Sequence, residues 1–304
     1  MFFQLEVTAA SGTVYESENN NSYLNSDTIY DDYDGYGLVN SPSDIDYWKI
    51  TFSYSGTANF YLGNVPSNCN YNINLYSSDG TTLLRSGTNS GTSYELLTCQ
   101  VTAGSTYYVR VYSASGSSTT SYYLFRAKAY PSKALAVPLY QQEESDTCGS
   151  ACGRMILKYY DIIVTEAEFV ERADQLANTG QNYTYVGPIT AALNYYFSST
   201  GTTTRYEYIN ISSLSNTSYT NLILGDIMNS YPVQVLLEFS STTYFPYTSD
   251  GHYVVIKGMS YSSSSAAYNA VINDPIPGAV RYIPISTIRS YNLADSGYII
   301  RVAS

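Results

Sequence analysis

Hydrophobic and polar residues alternate over short runs in the first 130 residues of the chain. This period of two is typical of β-strands that bury one face. Turn signals such as Asp79-Gly80 separate some of the runs, and no helical period persists for more than a turn. The clearest runs lie at 47–52, 71–76, 107–112 and 122–125. The pattern therefore predicts an all-β antiparallel sandwich over residues 1–130.

The pattern changes after residues 131–136, which we interpret as a linker because Pro131 holds its neighbour in extended geometry. Helices are predicted near 148–161, from a capping box at Thr165–Glu168 to Gly180, near 187–197 and near 217–230. Strands are predicted at 233–239, 252–259, 267–272, 280–283 and 298–302. Helices first and an antiparallel sheet second indicate an α+β fold for a second domain, residues 137–304.

Composition excludes several classes of protein. The 304 residues include 14 Lys and Arg against 25 Asp and Glu, which gives a net charge of −11. A chain this acidic offers no basic surface to nucleic acid or to anionic lipid, so we expect neither as a partner. No apolar run approaches the roughly 18 residues of a membrane span, which predicts that there is no transmembrane segment. No signal peptide is visible in the opening residues.

The single histidine of the chain, His252, opens a predicted strand, where a rigid element would hold it within reach of a substrate. A hairpin with its turn centred near residue 263 would place His252 directly opposite Asp274. A carboxylate there would accept the Nδ1–H of the imidazole, fix its tautomer and stabilise the imidazolium. The alternative is that Asp274-Pro275 only opens a turn and that the histidine is structural.

Cys148 stands where a loop is predicted to become a helix, and the positive end of the helix dipole would stabilise a thiolate there. Cys152, one turn further on, is interpreted as a small buried filler, because two cysteines at this helical spacing lack the geometry of a disulfide. Gln142, six residues upstream, is expected to form an oxyanion hole with the Cys148 backbone N–H. The neighbouring Gln141 is the alternative donor, and the spacing favours Gln142.

These motifs resemble the C39-like branch of papain-like cysteine peptidases. The resemblance spans residues 137–303 and rests on VPLYQQ at 137–142, CGSA at 148–151, GHYVVIKG at 251–258 and NDP at 273–275. It implies a papain-like fold and peptide-bond hydrolysis without a cofactor, with Cys148 as nucleophile, His252 as general base and acid, Asp274 as orienting carboxylate and Gln142 as oxyanion donor. The best-known members sit on ABC exporters and cut leader peptides after paired glycines. This chain has no transporter segment, so that substrate class does not transfer.

The first part of the chain is similar to bacterial pre-peptidase C-terminal domains, which are small β-sandwiches attached to secreted peptidases. The similarity covers residues 12–128 and rests on segments at 15–21, 43–48, 71–80 and 103–111. It implies a secreted or cell-surface protein whose first domain has a surface or an extracellular polymer as its target. Such domains usually follow the peptidase, whereas here the domain comes first.

An acidic stretch in this first domain raises the question of calcium. Nine carboxylates precede the first cation, Lys49. Some relatives bind Ca²⁺, which prefers oxygen ligands, through a Glu-x-Glu-x-Asn segment and later Asp residues. The resemblance therefore implies a site from Glu16, Glu18, Asn20, Asn21, Asp44 and Asp46. A solvated acidic face is the alternative.

Two questions stay open at this point. Cys69 and Cys99 form either a disulfide, as suits an exported protein, or two free thiols. The sequence favours a secreted bacterial cysteine peptidase that acts on a peptide or protein substrate. An acyltransferase or amidase on the same fold is the first alternative. A binding or adhesion protein with a degenerate peptidase fold is the second, and the complete Gln–Cys–His–Asp set argues against it.

Overall fold

The structure is a computed structural model of the chain, and it describes residues 10–177, 184–238, 243–247, 251–294 and 296–303. The chain divides into two compact units, Met1–Ser132 and Lys133–Ser304, and each unit has its own apolar core. In the described ranges, none of the helices is long and apolar enough to cross a membrane.

From residue 10 onwards, the first unit consists of two five-stranded sheets. One sheet has the order β1 (Gly12–Tyr15), β3 (Tyr33–Gly37), β10 (Tyr123–Pro131), β5 (Gly56–Gly63) and β8 (Glu95–Val101). The other has the order β2 (Asp27–Thr28), β4 (Ile45–Thr51), β9 (Thr106–Ser115), β6 (Asn70–Tyr76) and β7 (Leu83–Gly87). Neighbouring strands are antiparallel except β1–β3 and β2–β4, which are parallel. The predicted sandwich is thus confirmed, with a parallel pair at one edge of each sheet.

Alternation along the strands explains why these sheets pack face to face. In β4 every second residue is buried, and Trp48 at its centre has no exposed surface. The Trp48 ring packs on Phe125 of the other sheet at a centroid distance of 5.9 Å. Its Nε1–H donates to the hydroxyl of Tyr123 at 3.0 Å, which satisfies the one polar group that it brings into the core.

In the described residues, the second unit has five helices and a sheet with the order β12–β17–β13–β14–β15–β16, in which β11 pairs with β14. The helices are α1 (Cys148–Tyr159), α2 (Glu166–Gln175), α3 (Val186–Ser199), α4 (Asn216–Met228) and α5 (Ile285–Ala294). The strands are β11 (Lys133–Ala134), β12 (Tyr206–Asn210), β13 (Val233–Leu237), β14 (His252–Ser262), β15 (Ala267–Asp274), β16 (Ala279–Pro284) and β17 (Tyr298–Val302). All described strand pairs are antiparallel, and the predicted α+β order is confirmed.

Several boundaries differ from those predicted. The division between the two units after Ser132 falls inside the segment interpreted as a linker, where β10 continues through Pro131 and β11 begins at Lys133. The capping box of Thr165 and Glu168 is present as predicted, but α2 ends at Gln175. Gly180, the predicted end, and Phe239, the predicted end of β13, lie outside the described residues.

The four cysteines are free thiols in the structure. Cys69 is buried and Cys99 is partly exposed. Of the two alternatives that the sequence left open for this pair, the structure therefore has the free thiols.

Candidate active site

Cys148 is the first residue of α1, and its side chain is partly exposed. The start of α1 lies tightly against its surroundings, because a Cβ on Gly149 would come within 2.6 Å of Ile189 and 3.1 Å of Tyr253. The buried Gln234 of β13 donates its Nε2–H to the Gly149 carbonyl at 3.0 Å. The sheet thus fixes the helical turn that carries the thiol.

Cys152 is buried in the apolar core, as expected of a filler residue. Burial raises the pKa of its thiol well above the usual value, and the nearby Cys148 adds to the effect. A thiol that stays protonated in the core is not a nucleophile, so Cys148 is the reactive candidate of the two.

His252 opens β14, Asp274 ends β15, and both side chains are completely buried. His252 Nε2 and Asp274 Oδ1 are 2.9 Å apart, which is a hydrogen bond in which the ring N–H donates to the carboxylate. The structure therefore brings these two residues together.

The geometry of this contact differs from the prediction in two ways. The hairpin register pairs Ile256 with Ile272 but Ser262 with Ala267, because one extra residue at Lys257 interrupts the ladder. Continuing the register of Val255 with Asn273 places Val254 opposite Asp274, so His252 lies diagonally to Asp274 rather than opposite it. The ring is also reversed, since Nε2 and not Nδ1 contacts the carboxylate.

Asp274 receives further hydrogen bonds that the sequence did not indicate. Its Oδ2 accepts from the hydroxyl of Tyr247 and, at 2.9 Å, from Nε of Arg281. Its Oδ1 also accepts from the backbone N–H of Ile276 at 3.3 Å. Burial alone would raise the pKa of Asp274, but the bonds from His252 and Tyr247 and the charge of Arg281 outweigh it and lower the pKa. Asp274 is thus held as a carboxylate in the interior.

The side chain of Cys148 is the second neighbour of the imidazole. Among the residues that the structure describes, Nδ1 of His252 has no hydrogen-bond partner. Burial would lower the pKa of His252, yet the hydrogen bond to Asp274 and the proximity of the Cys148 side chain raise it. The buried imidazole thus has the carboxylate of Asp274 and the side chain of Cys148 as neighbours.

Gln142 lies on the loop that leads to Cys148. Its backbone N–H donates to the Pro275 carbonyl at 3.0 Å, so the loop is attached to the chain next to Asp274. Its Nε2 donates to the Glu144 carbonyl at 2.7 Å, and its Oε1 is buried without a partner among the described residues. Gln141 instead is exposed and donates to the Ile276 carbonyl.

One of the two side chains that sequence reasoning missed left a usable signal. Asp274 pairs with Ala279 in the β15–β16 ladder, so Arg281 lies two residues along on the same face of the sheet. Pairing that hairpin from the sequence would have found it. Tyr247 belongs to a connecting segment with no periodicity, and nothing in the sequence connects it to Asp274.

The residues expected to bind calcium divide into two groups. Glu18, Asn21 and Asp44 use side-chain oxygens for hydrogen bonds to Asn40 or to the backbone of Ile45. Glu16, Asn20 and Asp46 are close together, and Asn20 and Asp46 are completely buried.

Asp46 carries the strongest sign of an incomplete site in the first unit. Neither of its carboxylate oxygens, nor Oδ1 of Asn20, has a hydrogen-bond partner among the described residues. Burial and the neighbouring Glu16 raise the pKa of Asp46 to about 9. These unpartnered oxygens fit the donor set that Ca²⁺ prefers. In the described ranges, however, no three His, Cys, Asp or Glu side chains are already arranged to hold a metal ion.

Comparison with known proteins bears on the second unit in particular. The family model described as "Peptidase_C39 like family" matches residues 134–294, which confirms the resemblance found in the motifs. A search of curated proteins gives no match.

Solved structures similar to parts of the chain include two peptidases and one accessory domain. A double-glycine-motif protease from an AMS/PCAT transporter, solved with its leader peptide, is 18% identical, with a TM-score of 0.35, over 57% of this chain and 95% of that chain. The peptidase domain of Streptococcus ComA is 20% identical, with a TM-score of 0.37, over 55% of this chain and 98% of that chain. The pre-peptidase C-terminal domain of a Bacillus anthracis collagenase is 16% identical, with a TM-score of 0.28, over 34% of this chain and 94% of that chain.

Proposed function

We propose that this chain, which belongs to the Peptidase_C39 like family, is a cysteine peptidase that cleaves peptide bonds through Cys148, His252 and Asp274. Membership of the family supports peptidase activity and a peptide substrate. The observation that carries the residue assignment is the buried imidazole of His252. Its Nε2 forms a hydrogen bond to Asp274 at 2.9 Å. Its Nδ1 has no hydrogen-bond partner among the described residues, and the side chain of Cys148 lies near the ring.

The proposed reaction begins with the thiolate of Cys148 attacking the carbonyl carbon of the substrate. The Nδ1–H of His252 then protonates the leaving amine, and a thioester remains on the sulfur. The neutral imidazole next takes a proton from water, which hydrolyses the thioester and restores the thiolate–imidazolium pair. Throughout, Nε2–H donates its hydrogen bond to Asp274, and this orientation of the ring turns Nδ1 towards the reacting atoms.

The oxyanion of the tetrahedral intermediate needs hydrogen-bond donors that are already in place. In this proposal they are the backbone N–H of Cys148 and Nε2 of Gln142. The Gln142 amide nitrogen carries two hydrogens, and only one is needed for its bond to the Glu144 carbonyl. The attachment of the Gln142 backbone to Pro275 supports this role, because it ties the donor to the strand end that holds Asp274.

The first unit is proposed to be an accessory domain of a secreted or cell-surface bacterial enzyme, directed at a surface or an extracellular polymer. Support comes from the sequence motifs shared with domains attached to secreted peptidases. We further propose that Glu16, Asn20 and Asp46 contribute to a structural Ca²⁺ site, while catalysis needs no cofactor. The unpartnered buried oxygens of Asn20 and Asp46 support the calcium proposal.

Covalent labelling tests the catalytic proposal. The full chain is treated with iodoacetamide or an epoxysuccinyl probe, and the modified cysteine is located by mass spectrometry. We expect label on Cys148, none on Cys152, and loss of labelling and of casein cleavage in Cys148→Ala. A Cys148→Ala protein that still cleaves would refute the proposal.

Product analysis distinguishes the alternatives on the same fold. A peptidase leaves a new carboxylate at the cleaved bond, whereas an acyltransferase joins the acyl group to an added amine and gives a new amide. A labelled chain that gives neither product would favour a binding protein with a degenerate peptidase domain.

A further inference from the structure

A cavity of about 470 Å³ lies beside the start of α1 in the second unit. Its walls are the loop that precedes Cys148 and one face of α2. Six carboxylates line it, and the remaining lining residues are Thr147, Ala167 and Val170. The carboxylates belong to Glu143, Glu144, Asp146, Glu166, Glu171 and Asp174.

The described lining of this cavity includes six carboxylates and neither Lys nor Arg. Arg154 pairs with Glu143 at 2.8 Å, which compensates one carboxylate. Arg172, the one cation of α2, instead lies over the ring of Tyr195 at 3.9 Å. The cavity therefore keeps a strong negative potential, which concentrates cations.

Glu166 shows that the cluster is more than a solvated acidic surface. Its side chain is buried, with 1% of the residue exposed. Its Oε1 accepts from the Thr147 hydroxyl and from the backbone N–H of Glu143 at 2.9 Å. Its Oε2 has no partner among the described residues. A buried carboxylate oxygen without a donor is costly, and a cation in the cavity would offset that cost.

The shape of the lining favours a long organic cation over a metal ion. No three carboxylates in the described ranges are arranged to hold a metal. Ala167 and Val170 provide an apolar strip between the carboxylates of α2. Lys and Arg side chains pack their aliphatic stem on apolar surface and place the charged head in a polar site.

The position of the cavity connects it to the proposed chemistry. Thr147 in its wall is the neighbour of Cys148, and consecutive Cα atoms are about 3.8 Å apart. An extended peptide advances about 3.3 Å per residue. If a substrate chain held at Cys148 runs along the 143–147 loop towards α2, a side chain within about three residues of the cleaved bond reaches the cavity.

We propose that the cavity between α2 and the 143–147 loop is a subsite that selects a Lys or Arg side chain of the peptide substrate, close to the cleaved bond. This inference rests on the proposed peptidase function, and it names the substrate class of that same site.

The first experiment maps cleavage sites in a protein-derived peptide library by mass spectrometry, with Cys148→Ala as the blank. We expect Lys and Arg to be enriched at one fixed position within about three residues of the cleaved bond. A chosen peptide with Arg at that position should have a kcat/KM at least about tenfold above its citrulline counterpart, which has the same shape without the charge. Cleavage without a fixed basic position would overturn the subsite and leave the peptidase proposal standing.

Variants then connect the preference to the cavity. Glu171→Gln combined with Asp174→Asn should bring the ratio of arginine to citrulline peptides towards one. Asp161→Asn is the matched control, because Asp161 is an exposed carboxylate at the far end of α1 with φ of 61°, a conformation that Asn tolerates well. The assignment would be contradicted if the arginine-to-citrulline ratio fell equally in the double variant and in Asp161→Asn. It would also be contradicted if the ratio fell in neither. Glu166→Gln is a second variant, to be read only if its melting temperature matches the wild type.

A binding measurement keeps the test independent of turnover. Acetyl-arginine amide and acetyl-citrulline amide are titrated into the full-length Cys148→Ala protein at a fixed calcium concentration. We expect the arginine compound to bind at least about tenfold more tightly than the citrulline compound, and the double variant to lose this difference. Binding without any cleavage by the wild type would support the subsite while refuting the peptidase proposal. Displacement of the arginine compound by micromolar Mg²⁺ would show a metal site instead and overturn the inference.

Discussion

Asp46 in the first unit and Asp274 in the second are both completely buried carboxylic acids, yet the structure holds them in opposite states. Asp274 accepts hydrogen bonds from His252, Tyr247 and Arg281, and its pKa is lowered despite its burial. Neither oxygen of Asp46 has a hydrogen-bond partner within bonding distance among the described residues. Burial and the neighbouring Glu16 raise its pKa to about 9, although the nearby hydroxyl of Tyr123 acts in the opposite direction. Burial by itself therefore says little about charge.

The comparison teaches that donors decide what a buried carboxylate can do. With donors, Asp274 keeps its negative charge and can stabilise an imidazolium. Without them, Asp46 stays protonated at neutral pH until a cation replaces the proton. The first arrangement is complete within the chain, whereas the second has the unpartnered oxygens on which the calcium proposal rests.

Removing the imidazole should have the largest effect. His252→Ala removes the proton carrier, and positioned acid–base groups typically contribute about 10²–10⁴-fold to turnover. We expect kcat/KM on a peptide substrate to fall by that factor while labelling of Cys148 becomes slow. The control is again Asp161→Asn, which changes an exposed carboxylate. Gln234→Glu is not suitable, because Gln234 donates to the Gly149 carbonyl beside Cys148. Unchanged turnover in His252→Ala would end the assignment.

Replacing the carboxylate by an amide should cost less. Asn at position 274 has one acceptor oxygen, so it cannot accept from both His252 and the Tyr247–Arg281 side. We expect Asp274→Asn to lower kcat/KM about 10–100-fold, which corresponds to about 1.4–2.7 kcal/mol. The measurement is steady-state kinetics with the melting temperature as a fold control. A loss as large as that of His252→Ala would mean that Asp274 does more than orient the ring.

The donors behind Asp274 should have a smaller effect and a characteristic pH signature. Tyr247→Phe removes one hydrogen bond that helps to lower the pKa of Asp274. We expect a loss of about three- to tenfold in kcat/KM near neutral pH.

The pH profile distinguishes this role from a purely structural one. A raised pKa of Asp274 should move the acid limb of the profile to higher pH. Arg281→Gln should act in the same direction, since Arg281 bonds to the same oxygen. A lower rate with an unmoved acid limb would show that Tyr247 supports the fold rather than the charge of Asp274.

The smallest effect expected is one of stability, in the first unit. An aspartate whose pKa is raised on folding binds a proton that the unfolded chain has already lost. Without calcium, the free energy of unfolding of this unit should therefore fall as the pH rises from about 4 towards 9. Trp48, the single tryptophan of the chain, lies in the core of this unit, so its fluorescence reports this transition.

Calcium should reverse this pH dependence if it binds beside Asp46. Its stabilising effect should grow with pH, and about one proton should be released per Ca²⁺ bound near neutral pH. Asp46→Asn should abolish the proton release and weaken the pH dependence, of which part remains because the pKa values of Glu16, Asp31 and Glu95 are also raised. If millimolar Ca²⁺ does not change the free energy of unfolding of this unit at any pH, the alternative interpretation of a solvated acidic face is favoured.

Residue types and their order were enough to predict the two-layer sandwich and the helices-then-sheet order of the second unit. They were not enough for register. The extra residue at Lys257 and a turn over 263–266 shift the hairpin, and neither leaves a mark in the alternation of β14, which is buried on both faces near its start. The orientation of the imidazole depends on where α1 places Cys148, which is a tertiary fact that no local pattern contains.

The sequence analysis also missed α5 and β12, and in both cases the reason lies in the hydrophobic pattern of the element itself. The ten-residue α5 has few apolar positions, although Pro284 directly before it is a usable signal of a helix start. In β12 burial does not alternate cleanly, since Glu207 and Ile209 are half-buried and Tyr208 is exposed, so its sequence resembles a loop. Strand β12 is visible only from its pairing with β17.

His252 is the single histidine of 304 residues, and this gives the molecule a built-in reporter. A proton NMR spectrum of the unlabelled chain contains the ring signals of one imidazole, with no assignment problem to solve. Their chemical shifts follow the protonation of the ring as the pH is changed, and they respond to alkylation of Cys148 or to an occupied subsite. The chain thus offers a direct spectroscopic view of its proposed catalytic pair, in the native protein and without isotopes or mutations.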